Sequence, residues 1–126
     1  MRLHLPLALF AAAAFACAHQ AASNLSARVL AAQPGSPSAA APLPGAHVLM
    51  SCPDGMRTDL GESDSDGIVN LSPSVAPALD CKLTVARAGF KSDTFAVGDA
   101  CVERAANVCT AMRVTRVLEP SGSAGY

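Results

Sequence analysis

The chain has 126 residues, nine basic and ten acidic, for a formal charge of −1. It gathers no basic patch of the kind that tracks nucleic-acid phosphates, so nucleic acid is not an expected partner. Only 4% of residues are aromatic and none is tryptophan, so stacking platforms are scarce and the core must be built from small side chains. At this length one domain is expected, and such a core calls for covalent support.

The first element is an address. Arg2 precedes an apolar run from Leu3 to Ala16 broken only by His4 and Pro6. That run is too short to span a membrane as a helix, and residues 1–16 read as a secretory signal peptide. Ala14-Phe15-Ala16-Cys17 resembles the lipobox of bacterial lipoproteins, in which the cysteine is lipidated and becomes N-terminal. It departs from that pattern in lacking the usual leucine and in carrying Phe15 at a small-residue position. Ordinary cleavage after Ala16 or Ala18, both A-x-A sites, is the rival. Parity favours lipidation of Cys17, because it leaves an even four of the five cysteines. Residues 17–24 would then be a lipid-anchored tether, with the lipid as the membrane contact.

An exported chain meets an oxidising compartment, so Cys52, Cys81, Cys101 and Cys109 are expected to form two disulfides. Three pairings are possible. Cys52–Cys81 with Cys101–Cys109 is preferred, since the second closes a short loop where a hairpin would leave and rejoin a sheet. In the chain-entropy picture the longer loop contributes roughly 3–4 kcal/mol and the shorter about 2.5 kcal/mol. A zinc site built on these thiolates would need ligands in close pairs, which the spacings of 29, 20 and 8 do not supply.

Alternation of apolar and polar residues predicts strands over Leu25–Leu30, Ala46–Cys52, Arg57–Ser63, Ile68–Leu71, Cys81–Arg87, Asp93–Val97 and Thr110–Leu118. Ala46, Val48 and Met50 share one face with Cys52. Cys81, Leu83 and Val85 point inward, as do Met112, Val114 and Leu118, with Arg113 and Arg116 on a solvated face. The Pro- and Ala-rich stretch Gln33–Pro44 reads as a loop. Pro53-Asp54-Gly55 and Ala88-Gly89-Phe90 read as turns. Ala76–Leu79 and Val102–Ala106 could each form one helical turn, and residues 120–126 read as a disordered tail. The pattern is that of an all-β sandwich over residues 25–119.

Glu62-Ser-Asp-Ser-Asp-Gly67 has the acidic spacing that opens a calcium loop. Such a loop needs a bidentate carboxylate at its twelfth position and helical flanks, whereas Pro73 or Val75 falls there and the flanks are strand-like. It is better read as the turn joining Arg57–Ser63 to Ile68–Leu71 as a hairpin, with Gly67 at positive φ and Asp64 or Asp66 bonding to the turn backbone.

Three motifs taken together resemble carboxypeptidase regulatory-like domains. Pro42-Leu-Pro-Gly-Ala-His-Val48 resembles their P-L-x-G-A-x-V opening. Glu62–Val69 resembles their T-D-x-x-G-x-F segment, with Ser63 in place of Thr, and Val85–Phe90 resembles V-x-x-x-G-[YF]. The resemblance implies a seven-stranded, prealbumin-like antiparallel β-sandwich, usually an accessory module without catalysis. His47 is expected to be a half-exposed strand residue, and no catalytic constellation, cofactor or metal site is expected. The expected role is a non-catalytic envelope lipoprotein, lipid-anchored at the outer membrane on its periplasmic or surface face. It would present the sandwich as a structural or protein-interaction module and serve as an accessory of a surface machine for gliding or secretion, with an envelope protein as partner and no small-molecule substrate. The alternative is a glycan- or calcium-binding sandwich.

Overall fold

The structure is a computed structural model that describes residues 24–33, 36–71 and 76–122. The signal segment, Cys17 and the tether as far as residue 23 lie outside the described residues, as do 123–126 of the tail. The elements are β1 (Asn24–Gln33), β2 (Ser36–Pro42), β3 (His47–Ser51), β4 (Arg57–Glu62), β5 (Ile68–Asn70), β6 (Lys82–Ala86), β7 (Asp93–Ala96), the single turn α1 (Val97–Ala100), β8 (Cys101–Ala105) and β9 (Val108–Leu118). They form an all-β fold of two sheets. One has the order β2-β1-β9-β8 with β5 also on β1, and the other has the order β4-β3-β6-β7.

Alternation places the core. Leu25, Ala27, Val29 and Ala31 of β1 face Val48, Met50, Leu83 and Val85 of the second sheet, and all are buried. The pleat sends every second side chain inward, so these strands bury one face and expose His47, Leu49 and Arg28 on the other.

All seven expected strands form, but the described residues hold nine. β2 arises within the stretch read as a loop. Its Ala, Ser and Pro residues carry no alternation, yet it pairs with β1 on one side only, where an edge strand tolerates proline. β8 arises where a helical turn was expected. Pairing to β9 overrides the helix preference of alanine, and the one helical turn lies just before it. Ala76–Leu79 is not helical either, because Ala78 bridges Val108.

The sandwich is also not purely antiparallel. β1 and β9 pair in parallel from Asn24 with Ala111 to Ala31 with Leu118. A parallel pair needs a long crossover, and here the whole second sheet supplies it.

Both disulfides lie within sheets. Cys52–Cys81, with Cα atoms 4.1 Å apart, continues the β3–β6 ladder by one pair beyond Ser51 and Lys82. Cys101–Cys109 ties β8 to β9. Neither crosses between the sheets, which are joined through the apolar core and the connecting segments.

Candidate functional site

The residues of ESDSDG adopt the turn chemistry expected of them. The Asp64 carboxylate accepts the Asp66 and Ile68 N–H groups, each at 2.9 Å, and Gly67 sits at φ 77. One oxygen of the Asp64 carboxylate, Oδ1, is therefore engaged by the backbone of the turn. Among the described residues no three His, Cys, Asp or Glu side chains gather as a metal centre.

The turn is nevertheless not a hairpin. β4 pairs with β3 in one sheet, whereas β5 pairs with β1 in the other. Two features turn the corner. A bulge at Leu60–Gly61, where the register with β3 shifts, bends the end of β4. Gly67 then passes so close to β1 that a Cβ would run into the Val29 carbonyl oxygen, while the Val29 N–H donates to the Gly67 carbonyl at 2.7 Å.

Ser63 is the hinge pin of this corner and is 5% exposed. Its hydroxyl accepts from the Ala46 N–H at 2.8 Å and donates to the Leu43 carbonyl at 2.7 Å. Its own N–H donates to the Ala46 carbonyl, and its carbonyl accepts from the Gly45 N–H. Nearby, the Arg87 Nε donates to the Pro44 carbonyl at 2.9 Å. Segments 42–48, 62–69 and 85–90, far apart in sequence, are thus fastened to one another at one end of the sandwich. Sequence reasoning passed over Ser63 as a departure from Thr; its signal was the hydroxyl that the two residues share.

Arg116 does not lie on a solvated face. It shares the parity of Met112, Val114 and Leu118 and lies half-buried on the side of β9 that faces the second sheet, with a third of its side chain still exposed. There it meets Asp93 of β7 through Nε at 2.5 Å and a second nitrogen at 3.0 Å, with its guanidinium 4.7 Å from the centre of the Phe95 ring. Hydrogen bonding to Asp93 holds the Arg116 guanidinium above its ordinary pKa, outweighing burial, which acts the other way. Arg113, by contrast, is exposed.

A trough of about 590 Å³ lies on the outer face of the second sheet, with Leu49, Ala86 and Phe90 among its lining and Arg87 beside them. A second depression of about 390 Å³ shares Leu49 and Asp59 with it. His47 stands in this trough between two carboxylates, with Nδ1 3.5 Å from Asp59 and Nε2 3.6 Å from Glu62. The carboxylates approach opposite ring nitrogens, so the three groups do not converge on a single point. They form a cross-strand charge cluster, with side-chain exposures of 48% for His47, 57% for Asp59 and 58% for Glu62.

The chain matches no protein-family model and no curated protein. No helix among the described residues is long and apolar enough to cross a membrane.

Proposed function

We propose that this chain is an envelope lipoprotein whose disulfide-stapled sandwich is a carboxypeptidase regulatory-like, prealbumin-type module, serving as a structural or interaction unit rather than a catalyst. The observation that carries the reading is the convergence of the three motifs. The P-L-P-G-A segment, the E-S-D-S-D-G segment and the A-R-A-G-F segment meet around Ser63 and Arg87, so the residues behind the resemblance act as one architectural clamp. Their chemistry goes into backbone hydrogen bonds.

The cysteine arithmetic supports the anchor. Four of the five cysteines make the two disulfides, and the fifth is Cys17 of the lipobox-like segment. A lipid there would hold the domain at a membrane surface, the outer membrane being the proposed location. A protein of the envelope, such as a component of a gliding or secretion machine, is the proposed partner.

Mass spectrometry of the protein isolated from its own membranes tests the anchor. The expected N-terminal residue is an acylated Cys17. An unmodified Cys17, or an N-terminus at His19, would remove it. Thermal unfolding with calcium or with envelope glycans tests the role, and a clear stabilisation by either would favour a ligand-binding domain instead.

A further inference from the structure

We infer that the Cys101–Cys109 bond is a releasable latch: a dithiol reductant opens it ahead of Cys52–Cys81, freeing residues 99–106 as a loop while both sheets stay folded. This property belongs to the described fold and stands whether or not Cys17 carries a lipid.

β8 contributes little to the core. Every residue from Val102 to Asn107 is exposed, Val102 at 66%. Its ladder to β9 is broken twice, between Cys101 and Glu103 and again between Glu103 and Arg104. The side chains add two exposed hydrogen bonds, from the Arg104 guanidinium to the Gly98 carbonyl at 3.2 Å and from the Thr110 hydroxyl to the Glu103 carbonyl at 3.1 Å. At the tip of the hairpin Ala106 is held at φ 56, a conformation that disfavours residues with a Cβ.

The chain on either side of β8 is fastened independently of it. The Val97 N–H donates to the Cys81 carbonyl and the Gly98 N–H to the Leu79 carbonyl. Beyond the hairpin tip, the Asn107 carbonyl accepts from Leu79 and the Cys109 N–H donates to the Pro77 carbonyl. Lifting β8 away therefore leaves a short loop pinned at both ends. An element with so few buried contacts opens at a small fraction of the global unfolding free energy.

Cys52–Cys81 sits differently. Like the other pair it has one buried member, Cys81, and one half-buried member, Cys52, but it joins the ends of β3 and β6, the two interior strands of their sheet. Opening that bond so that the buried Cys81 is released parts strands that carry the core residues Val48, Met50, Leu83 and Val85.

The exchange is balanced. A thiolate of the dithiol attacks the Cys101 sulfur, the more exposed of the pair, and Cys109 leaves as a thiolate that takes up a proton. The second thiol of the reagent then displaces Cys101, closing the reagent into a cyclic disulfide. Two electrons and two protons pass to the protein. Cys109, fully buried, remains as a small apolar side chain, and the β9 edge from Val108 to Met112 loses its neighbouring strand.

The test is timed reduction of the full chain with dithiothreitol, stopped by acid, alkylated after unfolding so that buried thiols are counted, and mapped by peptide mass spectrometry, with hydrogen exchange in parallel. Cys101 and Cys109 are expected to be labelled at least about tenfold sooner than Cys52 and Cys81. Faster exchange should be confined to 99–106, with the far-UV spectrum preserved. Labelling of Cys52 and Cys81 first overturns the inference. So does simultaneous labelling of all four with loss of the spectrum, or resistance of both bonds until denaturant is added. The Cys101→Ser, Cys109→Ser double variant gives the same readout without reductant, and full protection of 99–106 in it would equally count against a latch.

Discussion

Replacing Ser63 by alanine removes a single oxygen from the corner between the sheets. The Ala46 N–H and the Leu43 carbonyl each lose that hydroxyl as a partner, and both residues are buried. A buried polar group left without a partner costs about 1–3 kcal/mol. Two such groups, with some relief from water at the sandwich end, give a loss of about 3 kcal/mol. Against a total stability of roughly 5–15 kcal/mol for a domain of this kind, that is a large fraction. It corresponds to a fall in Tm on the order of 12–24 °C. Urea unfolding of the oxidised protein, followed by far-UV circular dichroism because there is no tryptophan, measures it directly. Ser63→Thr keeps the hydroxyl and should lose less than the alanine variant. A loss below about 1 kcal/mol for Ser63→Ala, at an unchanged urea slope, would refute the account of Ser63 as the pin of the corner.

Gly67→Ala combines a positive φ with a Cβ driven into the Val29 carbonyl, and a loss above about 3 kcal/mol or a failure to fold is expected. Stability retained to within about 1 kcal/mol in the same urea assay would contradict the close approach of β5 to β1. Asp93→Ala strands the Arg116 charge between the sheets and should cost about 1–2 kcal/mol, more than Arg116→Met, which removes the charge and keeps an apolar stem. The opposite order in thermal melts would show that the pair behaves as a surface ion pair. Because the Arg116 pKa is raised, the contribution of its charge is complete below the ordinary arginine pKa and is lost only in strong alkali, so its effect should be flat across neutral pH. Ala106→Gly relieves the positive φ at the β8–β9 tip and should stabilise by about 1 kcal/mol, and a destabilised variant would argue against that backbone conformation.

Alternation made the core legible where a strand buries one face and exposes the other. Ala46, Val48 and Met50, and likewise Cys81, Leu83 and Val85, could be assigned inward from the letters alone, and all are buried. β2 and β8 were hidden for the opposite reason: their alanines, serines and prolines carry no contrast between faces, and only a neighbouring strand makes them extended. Partnership was less legible than conformation. The turn at Asp64–Gly67 was readable as a turn, but local sequence does not state which sheet the departing strand will join. That was decided by a bulge at Gly61 and by the missing Cβ of Gly67 against Val29. At Arg116 charge and parity point opposite ways: the charge predicts a solvated face, but its position two residues from both Val114 and Leu118 puts it on theirs. Ser63 shows a further limit: its hydroxyl is legible as the counterpart of the usual Thr, but a serine within an acidic turn does not say which two backbone groups will bury it.

The parallel β1–β9 pair has a mechanical consequence. Asn24 lies beside Ala111 at one end of the ribbon and Ala31 beside Leu118 at the other. Tension applied between residues 24 and 118 therefore runs lengthwise along the pair. The backbone hydrogen bonds between the two strands share that load in shear, instead of parting one after another as they would in a hairpin pulled from its open end. Both disulfides lie between these two points in the sequence, so force must break the β1–β9 ribbon before it reaches either of them. A domain pulled by its ends in this direction holds as a clasp, resisting extension until the whole ribbon gives way in one step.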